Sequence, residues 1–124
     1  MRRLGPVVLL VLGALLGLSL DAAGTVAPRI AFQSAQSGDY EIWSMRLDGS
    51  GLRNLTHSKG YDSNPAWSPD GKRIAFTSYR TGWPKIWVMN ADGSRPRQLT
   101  RGFSKEGGAV WTPDGTHIVY GSQP

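Results

Sequence analysis

The chain contains no cysteine, so disulfide stapling, a thiol nucleophile and cysteine-based metal sites are all excluded. It has only two histidines, His57 and His117, isolated from each other and from other ligand types, which excludes the usual zinc spacings. Charged residues make up 19% of the sequence and form no run of five or more of one sign, so the formal charge of +5 is scattered and does not describe a nucleic-acid patch. No segment of the folded portion has apolar residues at the 3.6-residue helical period, because Gly or Pro interrupts every candidate window. Missing too are a Gly-x-Ser-x-Gly elbow, a phosphate-cradling glycine loop opening a helix, and paired carboxylates in a pocket-like setting. The sequence therefore predicts no enzyme activity and no cofactor. At 124 residues it holds at most one domain of ordinary size.

One long apolar run is present. Met1-Arg2-Arg3 followed by Val7 to Leu20 and the small residues Asp21 to Ala27 has the n-region, h-region and cleavage-region order of an export signal. The reading is a signal peptide over 1–23 and a linker over 24–28. Its rival is an uncleaved membrane anchor, the one route by which this chain would engage a membrane. Either way the residues after Gly24 face outward, into the periplasm or the medium. No cysteine follows the run, so a lipoprotein-type N-terminus is excluded. Loss of 1–23 leaves twelve basic against eight acidic side chains, a net +4.

The rest of the chain repeats. Ile30-Ala31-Phe32-Gln33-Ser34 returns as Ile74-Ala75-Phe76-Thr77-Ser78 and as Ile118-Val119-Tyr120-Gly121-Ser122, both at a step of 44. Aligning 30–73 with 74–117 gives 18 identities in 44 positions without a gap, which chance does not produce. One period reads as four short strands. Asn64 to Trp67 runs through the turn Ser68-Pro69-Asp70-Gly71 into Arg73 to Ser78, then Lys85 to Asn90 passes through Asp92-Gly93-Ser94 to a last strand near Arg97 to Thr100. The apolar run Ile86 to Met89 predicts a strand buried on both faces. Four antiparallel strands at a 44-residue period describe a β-propeller blade. The fold class is thus all-β: a partial β-propeller of roughly two blades, with a β-sandwich as the alternative. The blades span 29–124, as a partial blade over 29–56, a full blade over 63–100 and a partial blade over 109–122.

The stretch Asn64-Pro65-Ala66-Trp67-Ser68-Pro69-Asp70-Gly71-Lys72-Arg73-Ile74-Ala75-Phe76-Thr77-Ser78, with Ile86 to Ser94 and Gln98-Leu99-Thr100, resembles the WD40-like repeat of the TolB propeller family over about residues 28–122. The resemblance implies an exported, non-catalytic binding or scaffold module with a protein partner. It equally suits a fragment of the non-catalytic propeller of a prolyl-oligopeptidase-like or tricorn-like peptidase, or a truncated remnant without a function of its own. Propellers close with 4–8 blades, so the open ends also suit self-association, in which another copy supplies the strand missing before Ile30.

The chain supplies its own control for choosing candidate residues. Positions kept at the 44 step are framework, and positions that change are free to bind. The kept turns share one end of the blades. The variable loops Ala35 to Asp39, His57 to Asp62, Tyr79 to Pro84 and Arg101 to Gly107 share the other, which is the end carrying the connections between second and third strands and between blades. Candidate binding residues there are His57, Tyr61, Tyr79, Arg80, Trp83, Arg101, Phe103 and Lys105, aromatic and cationic types that serve as interface anchors. The alternative is a set of solvated loop residues, with Trp83 covering a blade edge. Asp70, Asp92 and Asp114 each precede Gly in a turn and read as turn caps, so no metal is expected. Asn54-Leu55-Thr56 fits a glycosylation sequon but occupies the framework position of Gln98-Leu99-Thr100.

Overall fold

A computed structural model describes residues 17–20 and 26–124. The described residues are strands and turns throughout, with no helix, arranged as three antiparallel sheets. The first sheet orders β1 (Gly17–Leu20), β2 (Val26–Ser34), β3 (Glu41–Arg46) and β4 (Arg53–Asn54). The second orders β5 (Asp62–Trp67), β6 (Arg73–Ser78), β7 (Lys85–Asn90) and β8 (Arg97–Gln98), and the third is the hairpin of β9 (Lys105–Trp111) and β10 (Ile118–Gln123). This is the expected partial propeller.

The repeat reappears as registered geometry. Ile30 pairs with Met45 and Phe32 with Trp43, and 44 residues later Ile74 pairs with Met89 and Phe76 with Trp87. The Leu55 amide donates to the Ile42 carbonyl at 2.8 Å, as Leu99 does to Ile86 at 2.8 Å. Thr56 and Thr100 accept from the Ile42 and Ile86 amides, both at 2.9 Å, so the kept Leu-Thr pair ties the short last strand to the middle of each sheet.

Two boundaries differ from the sequence reading. β2 begins at Val26, inside the span read as linker, and the first sheet gains β1 from the end of the apolar N-terminal run. β1 pairs with Val26 to Arg29 only. In the second sheet β5 pairs with Ile74 to Ser78, which corresponds to Ile30 to Ser34. β1 therefore lies off the repeat register and does not take the place that β5 has in its own blade. The remainder of the 1–23 segment lies outside the described residues, as does the cleavage region up to Thr25.

The core is the stack of sheet faces. Ala31, Ile42 and Leu55 of the first blade bury against Trp67, Ile74, Phe76 and Met89 of the second. On its other side, the second blade buries Ala75, Ile86 and Val88 against Ala109, with Trp111 and Ile118 packed alongside. The middle sheet is thus covered on both faces, which is why Ile86 to Met89 is an unbroken apolar run. Small Ala31 and Ala75 alternate with Ile and Phe along β2 and β6, letting a neighbouring sheet approach closely. Trp111 adds a polar tie, since its indole N–H donates to the Ala66 carbonyl at 3.1 Å and the Arg73 guanidinium lies 4.6 Å from its ring.

The kept turns follow their residue chemistry. Asp70 accepts from Ser68 Oγ and from the Lys72 amide, and Asp114 accepts from Thr112 Oγ1 and the Thr116 amide. Asp48 and Asp92 accept in the same way from the hydroxyl and amide of Ser50 and Ser94. These bonds hold Asp48, Asp70 and Asp92 below the usual carboxylate range, and they bring Asp114 to about 2. Asp70, Asp92 and Asp114 are turn caps, as read from the sequence, and Asp48 is a fourth. Gly93 has a second duty. Its φ is +87°, and a Cβ there would stand 2.5 Å from the Leu55 carbonyl oxygen of the preceding blade. Gly49, one repeat earlier at φ +83°, has open space around it.

Two predictions follow from these turns. Gly49→Ala should cost about 1 kcal/mol, the strain of a left-handed L-residue. Gly93→Ala should cost more, about 2–3 kcal/mol, because it adds a backbone collision between blades to the same strain. Chemical denaturation of the two variants compares them directly. The caps also set an acid limit: a carboxyl lowered by folding stabilises above its unfolded pKa and loses that stabilisation as pH falls through the folded value. Thermal stability should therefore drop between roughly pH 4 and pH 2, and Asp114→Asn should flatten the lower part of that profile.

Candidate functional site

The end of the sheets opposite the kept turns gathers the variable loops. Tyr40 at the end of the β2–β3 loop, Tyr61 before β5 and Tyr79 after β6 form a row. The Tyr40 and Tyr61 ring centroids lie 6.0 Å apart and those of Tyr61 and Tyr79 6.3 Å apart, both edge to face. The row is roughly half exposed: Tyr40 47%, Tyr61 54% and Tyr79 42%. Beside it, Trp83 is 46% exposed with the Lys105 ammonium 5.7 Å from its ring, and Phe103 is 89% exposed. Arg101 and His57 are exposed as well.

Of the eight candidates from sequence, Tyr61 and Tyr79 meet in one row and Trp83 meets Lys105. Arg101, Phe103 and His57 stand on the same loops without partners among the contacts found for the described residues. Arg80 is committed elsewhere. Its guanidinium bonds Asp62 Oδ2 at 2.9 Å, donates to Ser78 Oγ at 2.8 Å and lies 4.5 Å from the Trp87 ring, leaving the side chain 16% exposed. Arg80 therefore presents little of its charge to solvent and holds Asp62 in place.

Asp62 belongs to a joint that the sequence reading passed over. Its amide donates to the Tyr40 carbonyl at 2.8 Å, and one repeat later the Glu106 amide donates to the Pro84 carbonyl at 3.0 Å. Both acidic side chains are buried between blades, each with a cation: Asp62 with Arg80, and Glu106 with Lys85 at 3.4 Å. Burial alone would raise the Glu106 carboxyl, but the nearby Thr100 hydroxyl, the Ser104 hydroxyl donating to Oε1 and the Lys85 ammonium together hold it below its usual value. At the first joint the position of Lys85 is taken by Glu41. Buried Glu41 accepts from Thr56 Oγ1, and its carboxyl is raised, first by burial and further by Asp62. Tyr40 and Glu41 could have been found from the repeat, because both positions change at the 44 step, to Pro84 and Lys85. They lie just past the loop limit chosen from turn residues.

Three stacked antiparallel sheets of one repeating unit, with kept turns at one end and changing loops at the other, define a β-propeller arc. The family model of the TolB beta propeller domain matches residues 25–124, and the chain belongs to that family. Among curated proteins it is 41% identical over 49 residues to the Tol-Pal system protein TolB of Geobacter sulfurreducens, covering 40% of this chain and 11% of that protein. It is 39% identical over 59 residues to the Protein TolB homolog of Chlorobium luteolum, covering 44% of this chain and 13% of that one. Two solved structures are also similar. A putative TolB from Agrobacterium tumefaciens superposes with a TM-score of 0.73 at 29% identity, over 90% of this chain and 39% of that one. TolB from Acinetobacter baumannii does so at 0.66 and 26% identity, over 87% and 26%. The matched segments span 11–13% of the curated relatives' length.

The joint chemistry sets a pH prediction with a definite sign. A carboxyl raised on folding favours the folded state when protonated, so Glu41 destabilises at neutral pH and ceases to do so as pH falls through its folded value. Glu41→Gln should raise the thermal midpoint at pH 7, and the advantage should vanish in acid. Melting the variant and the parent side by side from pH 7 to pH 4 measures it.

Proposed function

We propose that this chain is an exported, non-catalytic binding module that engages a protein partner through the face built by its variable loops. The observation carrying the reading is the Tyr40, Tyr61 and Tyr79 row together with Trp83, Phe103, Arg101 and Lys105, all exposed at one end of the sheets. Such a group of aromatic and cationic side chains buries much area at small entropic cost, as interface anchors do. Export is supported by the basic start and apolar run at the N-terminus. Membership of the TolB propeller family supports a protein partner, since the Geobacter relative is named as a Tol-Pal system protein. Arg80 is best treated as the support of the loop and not as a contact.

Self-association is a second role for the same module, favoured by the exposed end of the arc. Val110 is 50% exposed, Val119 59% and Tyr120 41%, on the terminal hairpin. A second copy of the chain packed on this hairpin would cover these side chains. Light scattering on the folded chain measures this role, and a single monomeric species counts against it.

Cross-linking in a periplasmic extract tests the loop face. One partner should be captured by the parent chain. With Trp83→Ala and Phe103→Ala combined, each a hot-spot loss of about 1–2 kcal/mol, its capture should fall by roughly thirtyfold or more. Equal capture by parent and double variant would move the interface elsewhere.

A further inference from the structure

The two blade joints are built from the same repeat positions but are filled differently. At the first joint Gln33 of β2 reaches across, and its Oε1 accepts the Asn64 amide at 2.9 Å. The Tyr40 and Tyr61 rings meet beside it, and Ser63 precedes Asn64 on β5. One repeat later Gln33 becomes Thr77, Ser63 becomes Gly107, Tyr61 becomes Lys105 and Tyr40 becomes Pro84. Most of these exchanges shorten or remove a side chain. A cleft of about 460 Å³ opens at this second joint, between β5, β6 and the β9–β10 hairpin, and Thr77, Tyr79, Glu106, Gly107 and Gln123 are among its lining residues. The volume is that of a small-molecule site.

Two buried polar atoms on residues of the lining have no partner. Thr77 Oγ1 and Glu106 Oε2 are buried and make no hydrogen bond, on side chains belonging to residues that are 3% and 6% exposed. Buried groups of this kind ordinarily find partners, and leaving them unmade is costly. The free carboxylate oxygen needs a hydrogen-bond donor. A second cation is a poor one, because Glu106 Oε1 already faces Lys85 and the Lys105 side chain lines the same cleft. An anion would meet Glu106. What remains is a neutral molecule with several hydroxyl donors, for which the Ser63, Asn64, Ser122 and Gln123 side chains offer further partners and the Tyr79 ring an apolar wall.

We infer that the cleft between the second and third blades binds a neutral polyol of monosaccharide size, with Thr77 and Glu106 as its buried contacts. The site goes beyond the loop-face reading and stands without it, although Tyr79 and Lys105 border both.

The test is amide NMR on the full chain, titrated with glucose and with myo-inositol, and in separate samples with methylammonium and acetate. The polyols should shift the amides of Thr77, Glu106, Gly107 and Gln123 with affinity in the roughly millimolar range, as expected for so small a ligand. Thr77→Gln combined with Gly107→Ser copies the filling of the first joint. The space around Gly107 accepts the change, since a Cβ there meets Thr77 Oγ1 at an ordinary 3.5 Å. The filled variant should lose the response by about tenfold or more in affinity. If it fails to fold, Thr77→Val, which keeps the shape and removes the hydroxyl, should still weaken binding. Trp83→Ala with Phe103→Ala should leave the polyol response unchanged, which separates this site from the protein-binding face. Absence of any shift, which would mean a water-filled gap, overturns the inference. So does a response to the charged probes alone, or one that survives Thr77→Gln with Gly107→Ser or is unchanged in Thr77→Val.

Discussion

A propeller sheet is apolar on both faces and has no way to bury both by itself, and every other feature of this molecule depends on that constraint. Each blade gains its burial from its neighbours, as in other repeat architectures. The middle blade, with Ile74, Phe76 and Met89 on one side and Ala75, Ile86 and Val88 on the other, is the only described blade covered twice. The terminal hairpin leaves Val110 and Val119 exposed. Stability is therefore distributed over interfaces between blades.

Those interfaces are held by more than apolar contact. At each joint a backbone amide of the incoming inner strand donates to the preceding blade, and a buried acid next to it is matched with a cation. A buried ion pair is weak evidence of net stabilisation, because desolvation offsets much of the attraction. What it does provide is a defined position: Glu106 meets Lys85 only when the second and third blades are in register. The same joints set the shape of the loop end, since Tyr40, Tyr61 and Tyr79 stand immediately above the first one. Turn chemistry serves the opposite end, where Gly93 allows one blade's turn to sit against the Leu55 carbonyl of the blade before it.

The repeat made the fold readable. Identity at the 44 step, Pro-Asp-Gly turns and the two-faced apolar run of β7 lead to the strands Arg73–Ser78 and Lys85–Asn90, whose limits agree with the structure. Less legible was the start of the inner strands. β5 begins at Asp62, ahead of the Asn64 read from the pattern, because a bulge between Ser63 and Ala66 breaks the alternation, and Asn64 sits at φ 52°. Gly108, at the same repeat position, has φ 66°. Asn and Gly at one repeat position were the available sign of that left-handed residue. The candidate site was legible as loops but not as contacts. Exposure of Tyr61, Trp83 and Phe103 follows from their place between strands, whereas the capture of Arg80 by Asp62 depends on a residue eighteen positions away and on burial that a linear pattern does not encode. The cleft at the second joint was written in the sequence too, as Gln33 against Thr77 and Ser63 against Gly107, yet its meaning required knowing that Thr77 and Gly107 face each other across that joint.

The central claim is that burial between blades, not the individual sheet, is the source of stability. Native-state hydrogen exchange on the folded chain tests it most directly. The account predicts that the amides of Ile74 to Ser78 and Ile86 to Met89 exchange most slowly, by a pathway close to global unfolding, while those of the terminal β9–β10 hairpin open at lower free energy. Equal protection across all three sheets, or greatest protection in the hairpin, would contradict it.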